Sequence, residues 1–451
     1  MKKTPNMLTA TEAVREIKNR NLTAIELMRA CADRIGVMEP DIKAWAHFDE
    51  EFAMKYAQAV DRKLSRNETP GKLCGIPIGV KDIFNTKDMP TCMGSMIWEG
   101  FTPGNDARVV SYLKWADAVI AGKTVTAEFA VHQPGPTVNP HNFSHTPGTS
   151  SSGSAAAVAS YMVPLALGTQ TAGSTIRPAS NCGIFGFKPS FGLIPRTGIL
   201  KTLDTLDHVS FLARSVEDLR LMLDTLRVRG PNHPYVYENI DCAEEATKTA
   251  GRPYKIGIVK THVWQYAEGY AQEALLKYAE ELSRHPEITV EAVELPSRFD
   301  EVHAIHEKIY TKALSYYFRE EVTQHPDKVS KWFMSMVNIG QKFNFEDYRR
   351  GLQQQNSLIK ELDGFIQEYD ALFSLSTAGE APNGLNSESK PDSCLIWTLC
   401  HAPAISIPLF KGPNGLPFGA QVIGRQYSDY RLLNLLDSLH KWDLLQLWAN
   451  L

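Results

Sequence analysis

The chain lacks the patterns typical of a disulfide scaffold, a zinc module or a membrane protein. Its seven cysteines are odd in number and scattered over 451 residues, without the C-x-x-C or Cys/His spacing that indicates zinc. No stretch approaches the roughly 20 apolar residues that a membrane span needs. The first residues, MKKTPNMLTATEAVREIK, are basic but contain no apolar run of signal-peptide length. We therefore expect a cytoplasmic protein with reduced thiols, no metal and no membrane partner.

An excess of one charge is also missing. Lys and Arg number 47 against 51 Asp and Glu, which gives a formal net charge of -4. This balance gives the whole chain no attraction to polyanions, and we expect no nucleic-acid partner. A hydrophobic share of 43% and a charged share of 22% are typical of a globular chain that buries a large core.

Patterns typical of helices and of strands alternate along the chain. Thr9 with Glu12, and Thr23 with Glu26, have the spacing of a capping box, which predicts two helices near the start. Further helical patterns lie at 50–66, 109–116, 153–162, 215–226, 269–284, 299–322, 345–369 and 430–441, and patterns of buried strands at 75–84, 117–122, 163–169, 254–259, 371–375, 404–410 and 419–424. This alternation predicts an α/β fold with a mixed, mostly buried central sheet covered by helices on both faces. We expect one domain over 1–451, with the polar segment 227–253 as a long surface connection.

Hydroxyl side chains and glycines concentrate in two clusters, GTSSS at 148–152 and TQTAGS at 169–174. Small residues let backbone N–H groups converge on an anion, but neither cluster carries G-x-x-x-x-G-K-[ST] or a strand-linked G-x-G-x-x-G. Close packing of an Ala-rich helix would explain the composition of 153–160, but it would not explain the two polar clusters. A third interpretation is catalysis by a nucleophilic serine.

A nucleophilic serine needs a base, because a hydroxyl is a weak nucleophile near neutral pH. The histidines stand in no G-x-S-x-G arrangement, and His303-x-x-His306 lacks the H-E-x-x-H pattern, which favours a surface or core role for this pair over a metal site. Lys81 follows the apolar run GIPIGV, and burial there would leave its amine neutral and able to accept a proton. The same pattern also fits a lysine that reaches solvent from a strand end, or one that pairs with Asp82.

Four segments resemble the amidase signature family, in the order of that family. They are GIPIGVKDIF, PGTSSSGSAAAVA, PLALGTQTAGSTIRPASNCGIFGFKPSFG, and PAISIPLF followed by GLPFGAQVIGR. The resemblance covers 8–225 and 370–445, is greatest toward malonamidase-type members, and implies an amidase signature fold that cleaves amides without a cofactor. The portion at 230–365 diverges from the family and is helix-rich. We expect it to shape the substrate pocket. Its aromatic segments 308–321 and 331–337 either line or cover that pocket or, as is common for aromatic residues at helical spacing, belong to the core or an interface.

The resemblance implies a Ser–cis-Ser–Lys triad with an acyl-enzyme intermediate. Ser174 matches the nucleophile, Ser150 the bridging serine that follows a cis peptide bond, and Lys81 the base. The backbone N–H groups of Thr171, Ala172, Gly173 and Ser174 match the oxyanion hole.

Supporting roles are expected for other hydroxyl residues of the two clusters. Ser151 and Ser152 are predicted to hydrogen-bond Lys81 or Ser150, with loop capping as the alternative, and Thr169 to hydrogen-bond within the site. Ser154 is predicted to cap the Ala-rich helix.

The chain departs from the family at three positions. Thr149 replaces the usual Gly before the bridging serine, which leaves the cis geometry open; Gln170 replaces Asp, and Ala172 replaces Gly. We expect an ordinary backbone at Ala172, because a positive φ would strain a residue that has a Cβ.

Arg177 indicates the substrate. It stands three residues after Ser174, which places it one helical turn away on the same side. Its guanidinium could bind the carboxylate of a small acid-bearing amide; the alternative is that Arg177 is buried and has a structural role. We expect a small-molecule amide as substrate and a homodimer as the assembly. Two alternatives stay open: a glutamine-hydrolysing amidotransferase subunit, which would need partner subunits, and a catalytically silent binding protein of the same fold.

Overall fold

A computed structural model describes residues 3–228, 253–387 and 389–448 of the chain. The predicted surface connection at 227–253 therefore lies almost wholly outside the described residues. The strands, β1 to β11 in chain order, are Trp45–Phe48, Pro77–Lys81, Val119–Thr124, Leu165–Gln170, Phe185–Lys188, His208–Ala213, Tyr254–Val259, Ile288–Val293, Ala371–Leu375, Ala404–Lys411 and Pro417–Ile423.

The helices follow the predicted patterns closely. The α-helices, α1 to α14 in chain order, are Ala10–Lys18, Ala24–Ile42, Glu50–Ser65, Arg108–Trp115, Ser152–Ala159, Ile176–Asn181, Val216–Leu226, Gly269–Ser283, Val302–Tyr317, Arg319–Gln324, Lys331–Lys342, Phe345–Ile366, Cys394–Leu399 and Asp429–Lys441. Short 3-10 helices lie at Pro5–Met7, Met96–Trp98, Glu128–Ala130, Trp264–Tyr266 and Ser297–Glu301. No helix in the described ranges is long and apolar enough to cross a membrane.

The strands join into one mixed sheet of 11 strands in the order β1-β3-β2-β4-β6-β5-β10-β11-β9-β7-β8. β2 is parallel to both of its neighbours, and so is β7, whereas the other pairs are antiparallel. Every residue of β2, β3 and β4 is buried, although successive side chains point to opposite faces. Both faces of this part of the sheet are therefore covered, and the predicted α/β architecture with a central sheet flanked by helices is confirmed.

Local sequence signals explain where several helices begin. Both predicted capping boxes form, with Thr9 and Thr23 as the N-caps of α1 and α2. The helix predicted at 299–322 is interrupted at Phe318, whose φ of -109° and ψ of 23° lie outside the helical range. Phe318 is buried against Phe129 and Phe333, so tertiary packing overrides the helical pattern there.

The prediction for Ser154 is wrong. The Ala-rich helix α5 already begins at Ser152, and Ser154 lies inside it, where its hydroxyl donates to the carbonyl of Leu167 at 2.8 Å. Every residue of α5 is buried, and a Cβ on Gly153 would lie 2.3 Å from the carbonyl oxygen of Ala44. The glycine lets this helix approach the neighbouring backbone, which holds its N-terminal end, and the serine cluster before it, against the sheet.

Candidate active site

Lys81 is the last residue of β2 and is fully buried. Its Nζ donates to Ser150 Oγ at 2.8 Å and to Thr169 Oγ1 at 2.8 Å. Among the described residues, no carboxylate lies within ion-pair distance of this amine. Burial holds the pKa of Lys81 well below its ordinary value, and the charge of Asp207 opposes that effect without reversing it. The amine is thus suited to accept a proton.

A second buried lysine on the adjacent strand has a different environment. Lys123 of β3 forms an ion pair with Asp82 at 2.9 Å and also donates to Thr91 Oγ1 at 2.7 Å. Asp82 therefore pairs with Lys123, and the alternative in which it pairs with Lys81 is wrong. Two neighbouring strands carry one ion-paired lysine and one lysine held only by hydroxyl groups.

The first serine cluster enters the site through a cis peptide bond between Thr149 and Ser150. The β-branched Thr149 is thus compatible with the bond that the family resemblance implies. The neighbouring backbone joins the two clusters, because the N–H of Ser151 donates to the carbonyl of Ser174 at 3.2 Å.

The expectation that Ser151 and Ser152 bond Lys81 or Ser150 is not met in the described chain. The hydroxyl of Ser151 donates to the carbonyl of Thr169 at 3.3 Å, and that of Ser152 reaches the carbonyl of Val125 at 3.5 Å. Thr169, predicted to hydrogen-bond within the site, supplies a hydroxyl that contacts the lysine.

Ser174 lies between the end of β4 and the start of α6, and it is 9% exposed. The residues before it, 171–173, make the turn that carries the predicted oxyanion donors. Ala172 lies outside the positive-φ region, which confirms the ordinary backbone expected there. The N–H of Arg177 donates to the carbonyl of Gly173 at 2.9 Å, so this turn leads directly into the helix.

Gln170 holds the oxyanion turn from one side. Its Oε1 accepts from the N–H groups of Thr175 and Ile176, both at 2.9 Å, at the start of α6. Its Nε2 donates to Thr398 Oγ1 at 3.0 Å, and the Thr398 hydroxyl lies 2.6 Å from the carbonyl oxygen of Ala172 and 3.0 Å from that of Cys394. The side-chain amide thus connects the helix start to the turn through one hydroxyl group.

Thr171 is held from a second side by residues outside the motif. Its hydroxyl donates to Asp207 Oδ1 at 2.7 Å, and its carbonyl oxygen lies 3.1 Å from His306 Nε2. A carbonyl can only accept, so His306 donates from Nε2 as the neutral tautomer. Burial lowers the pKa of this imidazole to about 4, which keeps it neutral.

Arg177, the predicted substrate-binding residue, lies beside this turn. Its Nε donates to Asp392 Oδ2 at 2.7 Å, and its side chain is 14% exposed. Asp392 is its one hydrogen-bond partner within the described residues. The guanidinium is therefore oriented by one carboxylate and retains further N–H groups for a ligand.

A comparison with known protein families agrees with this geometry. The amidase family model matches residues 26–433 of the chain. The chain belongs to the amidase signature family. It is an amide-hydrolysing enzyme, as the sequence predicted.

The relatives and solved structures that this amidase resembles are described as different kinds of protein. A glutamyl-tRNA(Gln) amidotransferase subunit of Streptomyces avermitilis is 32% identical over 477 residues, covering 94% of this chain and 93% of the relative. The peptide amidase of Stenotrophomonas maltophilia superposes with a TM-score of 0.86 at 25% identity, covering 98% of both chains. A chain from a vestigial complex that reveals the origins of an s-triazine catabolic enzyme has a TM-score of 0.88 at 26% identity, covering 98% of this chain and all of that one. The likeness to malonamidase-type members stays a prediction.

The site of this amidase opens into a cleft of about 840 Å³. Thr149, Ala172 and Arg177 lie in its lining beside the two clusters. The rest of the lining includes aromatic, basic and apolar side chains from other segments, among them His132, His303, His306, Tyr310, Trp332, Lys390 and Met336.

The two histidines of the pair His303-x-x-His306 lie in this lining. The sequence favours a surface or core role for them over a metal site; His306 is buried, and it also contacts the oxyanion turn. Their i, i+3 spacing indicates a shared helix face, but no sequence signal shows what that face meets. Sequence reasoning also missed Thr398 and Asp207, because they lie 226 and 36 residues from the turn residues that they contact.

Proposed function

We propose that this amidase cleaves the C–N bond of a small carboxylic amide through Ser174, Ser150 and Lys81. The observation that carries the proposal is the fully buried Lys81 amine, 2.8 Å from Ser150 Oγ and without an acidic partner among the described residues. A lysine in this setting is a base, because its charged form would be buried unpaired.

The reaction that we propose passes a proton between these three side chains. Ser174 Oγ attacks the amide carbon while its proton passes to Ser150 Oγ, whose own proton passes to the neutral amine of Lys81. The N–H groups of 171–174 stabilise the negative charge that develops on the carbonyl oxygen. When the C–N bond breaks, the proton returns through Ser150 to the leaving nitrogen, and ammonia or an amine departs. Water, deprotonated along the same path, then hydrolyses the acyl-enzyme.

An ammonia-release screen tests this function. Malonamate, glutamine, asparagine and neutral aliphatic and aryl amides are incubated with the wild-type protein and with the Ser174→Ala variant. We expect hydrolysis of at least one amide that disappears in the variant. If Ser174→Ala and Lys81→Ala both leave hydrolysis unchanged, the proposed mechanism is wrong.

We further propose that the preferred amide bears a carboxylate that binds Arg177. In support, Arg177 lines the cleft together with Ala172, is oriented by Asp392 and has N–H groups to spare. The variant Arg177→Ala is expected to raise KM for malonamate about tenfold or more, and to change KM for a neutral amide far less. Equal losses for acidic and neutral amides would refute the carboxylate assignment.

A second candidate is favoured by the relatives that are named as glutamyl-tRNA(Gln) amidotransferase subunits. In this role the same serine would release ammonia from glutamine within a complex. The chain alone would then have weak glutaminase activity that rises when partner subunits are added. Sedimentation of the isolated chain separately tests the predicted homodimer.

A further inference from the structure

The cleft is larger than a small acidic amide requires. Cavities of about 300–1,000 Å³ hold drug-sized ligands, and this one has about 840 Å³. Its lining reaches from Ala172, in the oxyanion turn, to Trp332 and Met336 on α11 in the divergent part of the chain. A substrate no larger than malonamate would leave most of this volume to water.

Two aromatic side chains from distant segments lie against each other in this lining. The rings of His132 and Trp332 have centroids 4.5 Å apart and planes inclined by 35°. Both residues are exposed, and Trp332 has 36% of its surface accessible. We call this pair the aromatic wall. The accessible part of the indole, beside an exposed imidazole in a concave surface, offers a flat contact area to a ligand.

The segments that carry the aromatic wall are fixed to each other. Ser330, the N-cap of α11, donates its backbone N–H to Glu128 Oε1 at 3.0 Å, and its hydroxyl donates to the same carboxylate. Beneath the wall, the ring of Phe129 packs against Phe318 at 4.7 Å and against Phe333 at 5.0 Å. The polar contact and the buried rings place Trp332 beside His132 before any ligand arrives.

The backbone next to His132 is held in an unfavourable conformation. Phe129 and Ala130 have φ values of 48° and 59°, in the left-handed region that residues with a Cβ seldom occupy. Such conformations persist only where surrounding contacts impose them, and they concentrate at ligand sites. Here the ring of Phe129 is buried against Phe318 and Phe333, and His132 lies two residues after Ala130.

The charges around the wall favour an uncharged partner. Loss of water within the cleft and the positive charge of Arg177 both lower the pKa of His132, so its imidazole is neutral at neutral pH. Of the charged side chains in the lining, Arg177 pairs with Asp392, Lys390 pairs with Glu268, and Glu307 is exposed. The two rings of the wall carry no charge of their own, so the contact that they offer matches a flat neutral ring.

We propose that the aromatic wall binds a flat, uncharged ring or conjugated group carried by the substrate. The amide cleaved at Ser174 would then be an aromatic or otherwise planar-substituted one, and the wall would select it against small aliphatic amides. The inference rests on the proposed function, because it assigns the substrate class of that same site.

Binding and hydrolysis are measured with three related amides. Malonamate has no ring, 2-phenylmalonamate carries one on the acyl side, and N-phenylmalonamate carries one on the leaving nitrogen. Affinity is measured by calorimetric titration of the Ser174→Ala protein, and hydrolysis with the otherwise unchanged chain. We expect at least one phenyl compound to bind about tenfold more tightly than malonamate, and the compound that does so shows on which side the ring lies.

Variants of the wall separate its role from a general structural one. In the Ser174→Ala background, Trp332→Ala should remove the about tenfold preference for the ring and leave malonamate affinity unchanged, whereas Trp332→Phe should keep most of the preference. Trp115→Ala is the matched control, because Trp115 is 67% exposed on α4 and does not line the cleft.

The outcomes distinguish the two proposals. The inference is overturned if neither phenyl compound binds more tightly than malonamate, or if Trp332→Ala weakens all three amides equally. The proposed function is tested separately by hydrolysis that depends on Ser174. Ser174-dependent hydrolysis without ring selectivity would support the proposed function and refute the aromatic wall as a binding site. Ring-selective binding without any hydrolysis would support the wall as a binding site and refute the proposed function.

Discussion

The same substitution at Lys81 and at Lys123, two of the buried lysines, is expected to have opposite effects. Lys81 and Lys123 stand on neighbouring strands and are both fully buried. Lys81 contacts two hydroxyl groups, whereas Lys123 neutralises the buried carboxylate of Asp82. Methionine has a similar length without the charge, so Lys→Met at each position removes the amine and largely preserves the packing.

The size of each effect follows from these contacts. Lys81→Met removes two hydroxyl hydrogen bonds of about 1 kcal/mol each, and it also removes the cost of burying an amine. Its free energy of unfolding should therefore stay within about 2 kcal/mol of wild type, or rise. Lys123→Met leaves Asp82 buried and unpaired, which should lower the free energy of unfolding by about 3–5 kcal/mol.

Activity should show the opposite order. Lys81→Met loses the base and should slow amide hydrolysis by about 10²–10⁴. Lys123→Met should keep its activity per folded molecule, because Lys123 contacts neither serine of the proposed triad. Denaturant unfolding at pH 7 gives the stability, and ammonia release gives the rate. A stable Lys81→Met variant with full activity, or a Lys123→Met variant as stable as wild type, would refute this reasoning.

Two further predictions concern residues around the site and in the core. Thr398→Val removes the hydroxyl between Gln170 and the carbonyl of Ala172, so kcat should fall about tenfold with little change in KM. Thr398→Ser keeps the hydroxyl and should restore kcat. An unchanged kcat in Thr398→Val would show that the oxyanion turn is held without this contact. Burial lowers the pKa of Lys188 from 10.5 to about 7. The unfolded chain therefore binds a proton that the folded chain resists, and Lys188 alone should add about 4 kcal/mol to the free energy of unfolding between pH 7 and pH 10.5. The wild-type pH profile should differ from that of Lys188→Met by this amount. Parallel pH profiles of the two proteins would contradict this assignment.

The fold is accessible from the sequence because its signals are local, and the proposed triad is accessible because its residues stand in motifs that resemble a known family. Capping boxes and apolar runs are set by neighbouring residues, and two short motifs hold Ser150 and Ser174. Lys81 was harder to place, since an apolar run before a lysine fits several roles. Only the fold shows that Asp82 forms an ion pair with Lys123, whereas Lys81 donates a hydrogen bond to Ser150.

The contacts that hold the oxyanion turn were not accessible, because they join segments far apart in the chain. His306 and Thr398 reach the turn from α9 and α13, and nothing near either residue predicts that contact. The error at Ser154 has a similar origin. A serine near a helix start is a good cap, but Ser154 finds the carbonyl of Leu167 on the adjacent strand β4.

The departure from the family at Gln170 is explained by the direction of its hydrogen bonds. An ionised Asp at this position can only accept, so it would draw the Thr398 proton toward itself. The Gln170 amide accepts from the start of α6 through Oε1 and donates to Thr398 through Nε2. The Thr398 proton is then directed to the carbonyl groups of Ala172 and Cys394. The amide thus fixes the oxyanion turn with a neutral network, and it adds no negative charge beside the atoms where the reaction develops one.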